Sequence, residues 1–150
     1  MKIMTRDFGE VEINKEDIIT FPQGIPGFLN KNKFVLLPLE EESPFIVMQS
    51  IEDEDLAFIT INPADIIKDY QFDISESVEK KLKIESREEV GVLNIVTIKE
   101  SMQDMTVNLA APVVINFEEN LGKQVILDDE NYPVKFKVFA EENNAEKVAE

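Results

Sequence analysis

The apolar residues of this chain come in short runs, and residues that favour turns follow almost every run. Val11 to Ile13, Phe34 to Leu39 and Phe45 to Ile51 are examples. Runs of this length, rich in β-branched and aromatic residues, are typical of strands and too short for most helices. We therefore expect nine or ten short strands. This number favours a mainly β fold, either an antiparallel β-barrel-like domain or a sandwich.

One segment has the pattern of a helix. Ser75 is followed by Glu76, and the apolar residues Val78 and Leu82 are four positions apart. A serine is a favourable N-cap, and an acidic residue in the first turn interacts well with the helix dipole. The sequence therefore predicts one short helix that begins after Ser75.

The length of 150 residues fits a single domain. Neither an internal repeat nor a low-complexity linker divides the chain. The last run of apolar residues ends near Phe139, and the residues after it have little to bury. We expect one β domain over residues 1–139 and an acidic tail over residues 140–150 that is frayed or disordered.

Two residue types are missing. The chain has no Cys and no His, which excludes disulfides, thiolate nucleophiles and histidine-based acid–base or metal chemistry. The glycines form neither G-x-G-x-x-G nor a P-loop. We therefore assign no catalytic residue, no metal ligand and no cofactor. The alternative that stays open is a ligand-binding or hydrolytic β-barrel that uses a carboxylate-lined cleft.

The charge balance bears on possible partners. Asp and Glu number 31 against 15 Lys and Arg, which gives a net charge of −16. Such a surface repels phosphate backbones and anionic lipid headgroups, so we expect neither direct nucleic-acid binding nor membrane binding. The first residues contain no apolar run like the core of a signal peptide, and no run is long enough to span a bilayer. We expect a cytoplasmic protein.

Four consecutive acidic residues, Glu52, Asp53, Glu54 and Asp55, form a turn between two predicted strands. They lack the alternating spacing and central glycine of a calcium-binding loop. Between Phe34 and Ile67 there are eight acids and no Lys or Arg. Two interpretations remain open: a solvated face that aids solubility, or a docking face for a basic protein.

A second turn contains two prolines and two glycines between Pro22 and Gly27. Because proline fixes φ and glycine permits positive φ, this segment is a structured double turn. Its phenylalanines either cap the barrel core or form a preorganised apolar patch for a partner. The candidate partner-binding residues are Phe21, Gln23, Ile25, Phe28, Glu52, Asp53, Glu54 and Asp55.

Six stretches of the chain, in order, resemble the FliW family of bacterial flagellar assembly factors. They run over residues 20–28, 33–39, 48–51, 57–63, 105–109 and 122–127; the first reads TFPQGIPGF and the fifth MTVNL. The resemblance covers residues 1 to about 139.

The resemblance implies a small β-barrel-like protein without enzymatic activity. We expect the protein to be monomeric when free. It implies two protein partners, cytoplasmic flagellin and the translational regulator CsrA, bound one at a time. Once flagellin has been exported, the freed factor would capture CsrA and relieve its repression of flagellin mRNA. The negative charge would then oppose RNA binding by CsrA electrostatically.

Overall fold

The computed structural model describes residues 1–139. The predicted acidic tail, residues 140–150, lies outside the described residues. The described strands are β1 (Lys2–Thr5), β2 (Gly9–Glu12), β3 (Ile19–Thr20), β4 (Lys33–Pro38), β5 (Phe45–Ser50), β6 (Ala57–Ile61), β7 (Val90–Thr97), β8 (Thr106–Val107), β9 (Val113–Asn116), β10 (Leu121–Gln124) and β11 (Phe136–Lys137). The α-helix is α1 (Glu76–Lys81), and short 3-10 turns lie at Lys15–Asp17, Pro63–Asp65, Arg87–Glu89 and Met102–Asp104.

Nine strands form one sheet in the order β11-β8-β7-β6-β5-β4-β3-β10-β9, and β9 also pairs with β7. This last pairing closes seven strands, from β7 through β3 and β10 to β9, into a ring. The prediction of a mainly β, barrel-like fold with one short helix is confirmed. One detail differs from the expected antiparallel sheet, since β3 and β10 pair in parallel through Leu121 and Thr20.

The barrel core consists of apolar side chains from the strands of this ring. Phe34, Met48, Leu93, Val113 and Ile115 are all buried there. Because side chains alternate along a strand, Val114 lies on the opposite face of β9. There it packs against Val78 of α1 and against Leu82, which caps the helix end. All four residues of β9 are buried, because the barrel core covers one face of the strand and α1 covers the other.

The helix begins where the sequence predicts. The Ser75 hydroxyl accepts a hydrogen bond from the Val78 N–H at 3.2 Å. Glu76 lies in the first turn and Lys81 in the last, which suits the helix dipole. The fully buried Asn116 side chain donates to the Leu82 carbonyl at 2.8 Å and so fixes the helix end to β9. No helix within residues 1–139 is long and apolar enough to cross a membrane.

The clean alternation from Tyr132 to Phe139 predicts a longer strand than the structure has. Strand β11 is two residues long, because its neighbour β8 offers only Thr106 and Val107 for pairing. Val134, expected on the buried face, is 59% exposed.

Candidate partner-binding site

The segment between β3 and β4 folds back on itself in two consecutive turns. The Gly24 N–H donates to the Phe21 carbonyl at 2.8 Å, and the Phe28 N–H donates to the Ile25 carbonyl at 2.7 Å. At Gly24 the φ angle is +69°, and a Cβ there would lie 2.6 Å from the Leu29 backbone. Only glycine fits at that position. The loop is therefore held in one shape, as its prolines and glycines predict.

Two of the candidate residues in this loop are core residues. Phe21 is 0% exposed and Ile25 is 1% exposed. The Phe21 ring meets Phe34 edge to face, with centroids 5.4 Å apart. A Cβ on Gly122 would lie 2.6 Å from the Phe21 ring. This burial favours the interpretation in which Phe21 and Ile25 fill the end of the barrel core.

Phe28 and its neighbour Leu29 point the other way. Phe28 is 41% exposed and Leu29 is 68% exposed. The Phe28 ring packs edge to face on Phe58 at 5.8 Å, and Phe58 lies 6.1 Å from Phe34 in the core. Phe28 is thus the outer end of an aromatic row. Leu29 was missing from the candidate residues, although the two adjacent large apolar residues after Gly27 are a sequence signal for an exposed tip.

Gln23 is exposed at the start of the same loop. Its side-chain oxygen accepts a hydrogen bond from the Lys123 ammonium group on β10. Partial burial and the nearby positive charge of Lys81 lower the pKa of Lys123. Gln23 is therefore tied to β10 through Lys123.

The acidic turn touches the proline–glycine loop directly. One carboxylate oxygen of Glu52 accepts hydrogen bonds from the backbone N–H groups of Asn32 at 2.7 Å and Lys33 at 3.0 Å. The loop between β3 and β4 and the acidic turn, the two segments singled out in the sequence, therefore meet in the fold through charge-assisted hydrogen bonds. Glu52 has a positioning role at their junction.

Buried polar side chains hold the tip of the acidic turn. The Ser50 hydroxyl accepts from the N–H groups of Glu52 and Asp53, both at 3.0 Å. The buried Gln49 amide donates to the Glu54 carbonyl at 3.2 Å. Asp53 accepts from the Asp55 N–H at 3.0 Å. The backbone of the turn is thus fixed by the protein itself and needs no bound ion.

Among the described residues, no cation forms an ion pair with the outer carboxylates of the turn. The ion pairs within residues 1–139 join the N-terminus to Glu12 and Arg6 to Asp7. Glu54 and Asp55 are exposed and take part in neither. We define the site face as the exposed residues of the two segments that Glu52 joins: Phe28, Leu29, Glu52, Glu54 and Asp55. It combines a fixed apolar tip with free negative charge, a combination suited to contact with a protein.

Within residues 1–139, no group of three or more acidic side chains is placed to hold a metal ion. The buried polar side chains of this part of the chain are all uncharged: Thr5, Gln49, Ser50, Thr60, Asn94 and Asn116.

Comparison with known proteins decides the family. The model of the FliW protein family matches residues 2–138. The chain belongs to the FliW family. The match runs from the first strand to β11 and includes every residue of the site face.

FliW proteins from several bacteria are close relatives over almost their whole length. The protein named flagellar assembly factor FliW from Clostridium kluyveri is 43% identical over 93% of this chain and 96% of its own length. That from Caldicellulosiruptor saccharolyticus is 46% identical over 95% of this chain and 93% of its own. That from Bacillus licheniformis is 46% identical over 94% and 99%.

A solved FliW structure has the same fold. The crystal structure described as that of the flagellar assembly factor FliW superposes with a TM-score of 0.87 at 42% identity. It covers 94% of this chain and 99% of its own. This chain therefore shares its mainly β fold with that solved FliW protein.

Proposed function

We propose that this FliW-family protein is a cytoplasmic flagellar assembly factor that binds flagellin and, when free of it, binds and antagonises CsrA. Antagonism of CsrA relieves repression of flagellin mRNA translation. In this account the protein is not an enzyme, uses no cofactor, contacts neither nucleic acid nor membrane, and is monomeric when free. The observation that carries the proposal is the junction at Glu52, which joins an exposed apolar tip to an unneutralised acidic turn.

The apolar half of the site face suits flagellin. Phe28 and Leu29 are exposed, yet the loop that carries them is fixed by Gly24 and by hydrogen bonds. A fixed apolar tip loses little conformational entropy on binding. The terminal helices of flagellin would offer apolar stripes for it to contact. The buried Phe21 and Ile25 support this tip from below, whereas Gln23 is an exposed residue of the same loop.

The acidic half suits CsrA. A protein that binds RNA must present basic surface to phosphates, and Glu54 and Asp55 offer it carboxylates that no cation in the described chain neutralises. A bound body with a net charge of −16 would also raise the cost of bringing RNA close. This effect gives antagonism without occupation of the RNA site.

The test compares matched substitutions. Leu29→Asp changes an exposed apolar residue of the site face, and Ile126→Asp changes one that is 70% exposed elsewhere. The pair Glu54→Gln and Asp55→Asn removes two charges from the site face. Asp128→Asn with Glu130→Gln removes the same two charges from another exposed turn. Affinities for purified flagellin and CsrA are then measured by calorimetry.

We expect Leu29→Asp to weaken flagellin binding and the Glu54/Asp55 variant to weaken CsrA binding, each by about tenfold or more, since one or two well-placed contacts are worth that much. The controls should stay within about twofold. If the unaltered protein binds neither flagellin nor CsrA, the proposal is wrong. If the site and control variants lose affinity equally, the site face is not the binding surface.

The enzyme alternative has less support. The large groove of the described chain does contain carboxylates, from Asp73, Glu79 and Glu85. All three side chains are exposed, whereas catalytic acids in hydrolases depend on burial or close like charges for their function.

A further inference from the structure

The first half of β7 has an open edge. Strand β6 pairs with β7 only between Ile59↔Val96 and Ile61↔Asn94. Continuing that register would place Pro63 opposite Val92, but proline has no N–H to donate and here begins a 3-10 turn. The chain therefore leaves the sheet, and no strand of the described residues covers β7 from Val90 to Leu93 on this side.

The register shows which backbone groups face the open edge. The Phe117 N–H donates to the Glu89 carbonyl, so Gly91 and Leu93 form the hydrogen-bonded pairs with β9. Val90 and Val92 therefore direct their backbone groups to the other side. Within residues 1–139, the N–H and C=O of Val92 have no hydrogen-bond partner. An unpaired edge of this kind is a template for another strand.

A groove of about 960 Å³ lies along this edge. Val90 and Val92 line it, and the half-buried side chains of Phe72 and Ile74 supply an apolar wall. Its charged lining residues are Asp73, Glu79, Glu85 and Arg87. Three carboxylates and one guanidinium make the groove negative. Positive charge on an incoming segment should therefore favour its binding.

We propose that this groove binds an extended, lysine- or arginine-containing segment of a partner protein, which adds as a strand to β7. The proposal relies on the proposed function only for the existence of a protein partner. It adds a second contact, separate from the site face. A peptide backbone can pair with Val92 while alternate side chains reach the carboxylates and the apolar wall, as in other cases of strand addition.

Charge argues against other occupants. Nucleic acid would bring phosphates towards Asp73, Glu79 and Glu85. Residues 140–150 of this chain contain four glutamates and one lysine, so they carry the wrong sign. The β7 edge of a second copy, Val90 to Leu93, contains no basic residue.

The key variant is Val92→Pro. It removes the N–H that faces the groove and no hydrogen bond to β9, and proline is tolerated at strand edges where its nitrogen faces outwards. Val92→Ala is the matched control that keeps the N–H. A second variant, Asp73→Asn with Glu85→Gln, removes charge from the groove, and Glu40→Gln with Glu41→Gln removes the same charge from an exposed turn.

The probe is a fluorescent synthetic peptide of seven residues that alternates lysine and valine, with both ends blocked. Three controls accompany it: the same peptide with alternate amides N-methylated, the peptide with glutamate in place of lysine, and a peptide of residues 140–150. Fluorescence anisotropy gives the affinities, and the ¹⁵N–¹H resonance of Val92 reports contact at the edge. The full chain is used throughout, and thermal midpoints confirm that each variant folds.

We expect the lysine peptide to bind and to shift the Val92 resonance. Val92→Pro and the Asp73/Glu85 variant should each weaken binding by about tenfold, the worth of one hydrogen bond or ion pair in a groove. Val92→Ala and the Glu40/Glu41 variant should bind the lysine peptide within about twofold of the unaltered protein. The N-methylated peptide, which lacks the amide donors needed for backbone pairing, should bind more weakly than the unmodified one.

Equal binding of the glutamate or tail peptide, or an unchanged Val92 resonance, would overturn the inference. If Val92→Pro fails to fold, an unchanged affinity of the Asp73/Glu85 variant for the lysine peptide would also overturn the inference. Peptide binding without flagellin or CsrA binding would contradict the proposed function alone. Binding of those partners to the full protein, with no peptide binding, would contradict this inference alone.

Discussion

Burial separates residues that look alike in the sequence. Ile25 and Leu29 are apolar residues of one loop, yet Ile25 is in the barrel core and Leu29 is largely exposed. Ile25→Asp would place an uncompensated carboxylate in the core, so we expect it to lower the free energy of unfolding by about 3 kcal/mol or more. Leu29→Asp should change it by about 0.5 kcal/mol or less. Urea unfolding measures both, and similar losses would show that the loop packs differently.

Tyr70 should make stability depend on alkaline pH. Its hydroxyl donates to the Leu109 carbonyl at 2.5 Å and accepts from the Asn94 amide at 3.2 Å. Burial raises the pKa of Tyr70; the hydrogen bond from Asn94 opposes this effect, and the nearby Tyr132 adds a smaller increase. The folded state therefore keeps the proton to a higher pH than the unfolded state, whose tyrosine ionises near the usual value of 10.

The free energy of unfolding should accordingly fall as pH rises through 10, the ordinary tyrosine pKa. Tyr70→Phe should remove this part of the fall and, because it breaks two hydrogen bonds, cost about 1–2 kcal/mol at neutral pH. Urea unfolding between neutral and alkaline pH measures both effects, with Tyr132→Phe as the control that keeps Tyr70. A Tyr70→Phe profile parallel to that of the unaltered protein would contradict the assignment.

Among the elements, the proline–glycine loop depends on a carboxylate from the neighbouring turn. Glu52→Ala removes the acceptor of the Asn32 and Lys33 N–H groups. We expect faster amide hydrogen exchange at these two residues and a loss of about 1–3 kcal/mol in stability, since hydrogen bonds to charged groups are worth that much. Glu54→Ala, in the same turn but without such a bond to the loop, is the control. Unchanged exchange in Glu52→Ala would show that the loop holds its shape unaided.

Local signals were enough to predict several elements. The Ser75 N-cap predicted α1, and the two prolines and two glycines after Phe21 predicted a fixed loop. What the sequence could not show is the result of long-range pairing. The meeting of Glu52 with Asn32 depends on strand register, as do the closure of the ring by β7 and β9 and the parallel pairing of β3 with β10.

The local sequence pattern also could not predict which residues of the loop are buried. Phe21, Ile25 and Phe28 share one turn, and only the position of Phe34 and Gly122 in the barrel decides which of the three is covered. The open edge of β7 was hidden for a similar reason. The apolar run from Val90 to Ile98 predicts a strand that is buried on both faces. Its open edge arises because β6 ends at Ile61, just before Pro63 begins a 3-10 turn.

For the whole molecule, the net charge of −16 predicts a rate effect. If the site face steers a basic partner, association with CsrA should slow markedly between low and physiological salt, because screening shortens the field to about 8 Å. Stopped-flow measurement of the association rate constant at several salt concentrations tests this. The Glu54/Asp55 variant should show a shallower salt dependence than the Asp128/Glu130 control. A flat profile for the unaltered protein would remove electrostatic steering from the account.

The central claim is that one face serves two partners, one at a time, and competition tests it most directly. Labelled CsrA is bound to the protein, unlabelled flagellin is added, and the bound fraction is followed by fluorescence anisotropy. We expect flagellin to displace CsrA fully, with the Ile126→Asp control behaving like the unaltered protein and Leu29→Asp requiring about tenfold more flagellin. A stable complex that contains flagellin, CsrA and this protein together would contradict the claim.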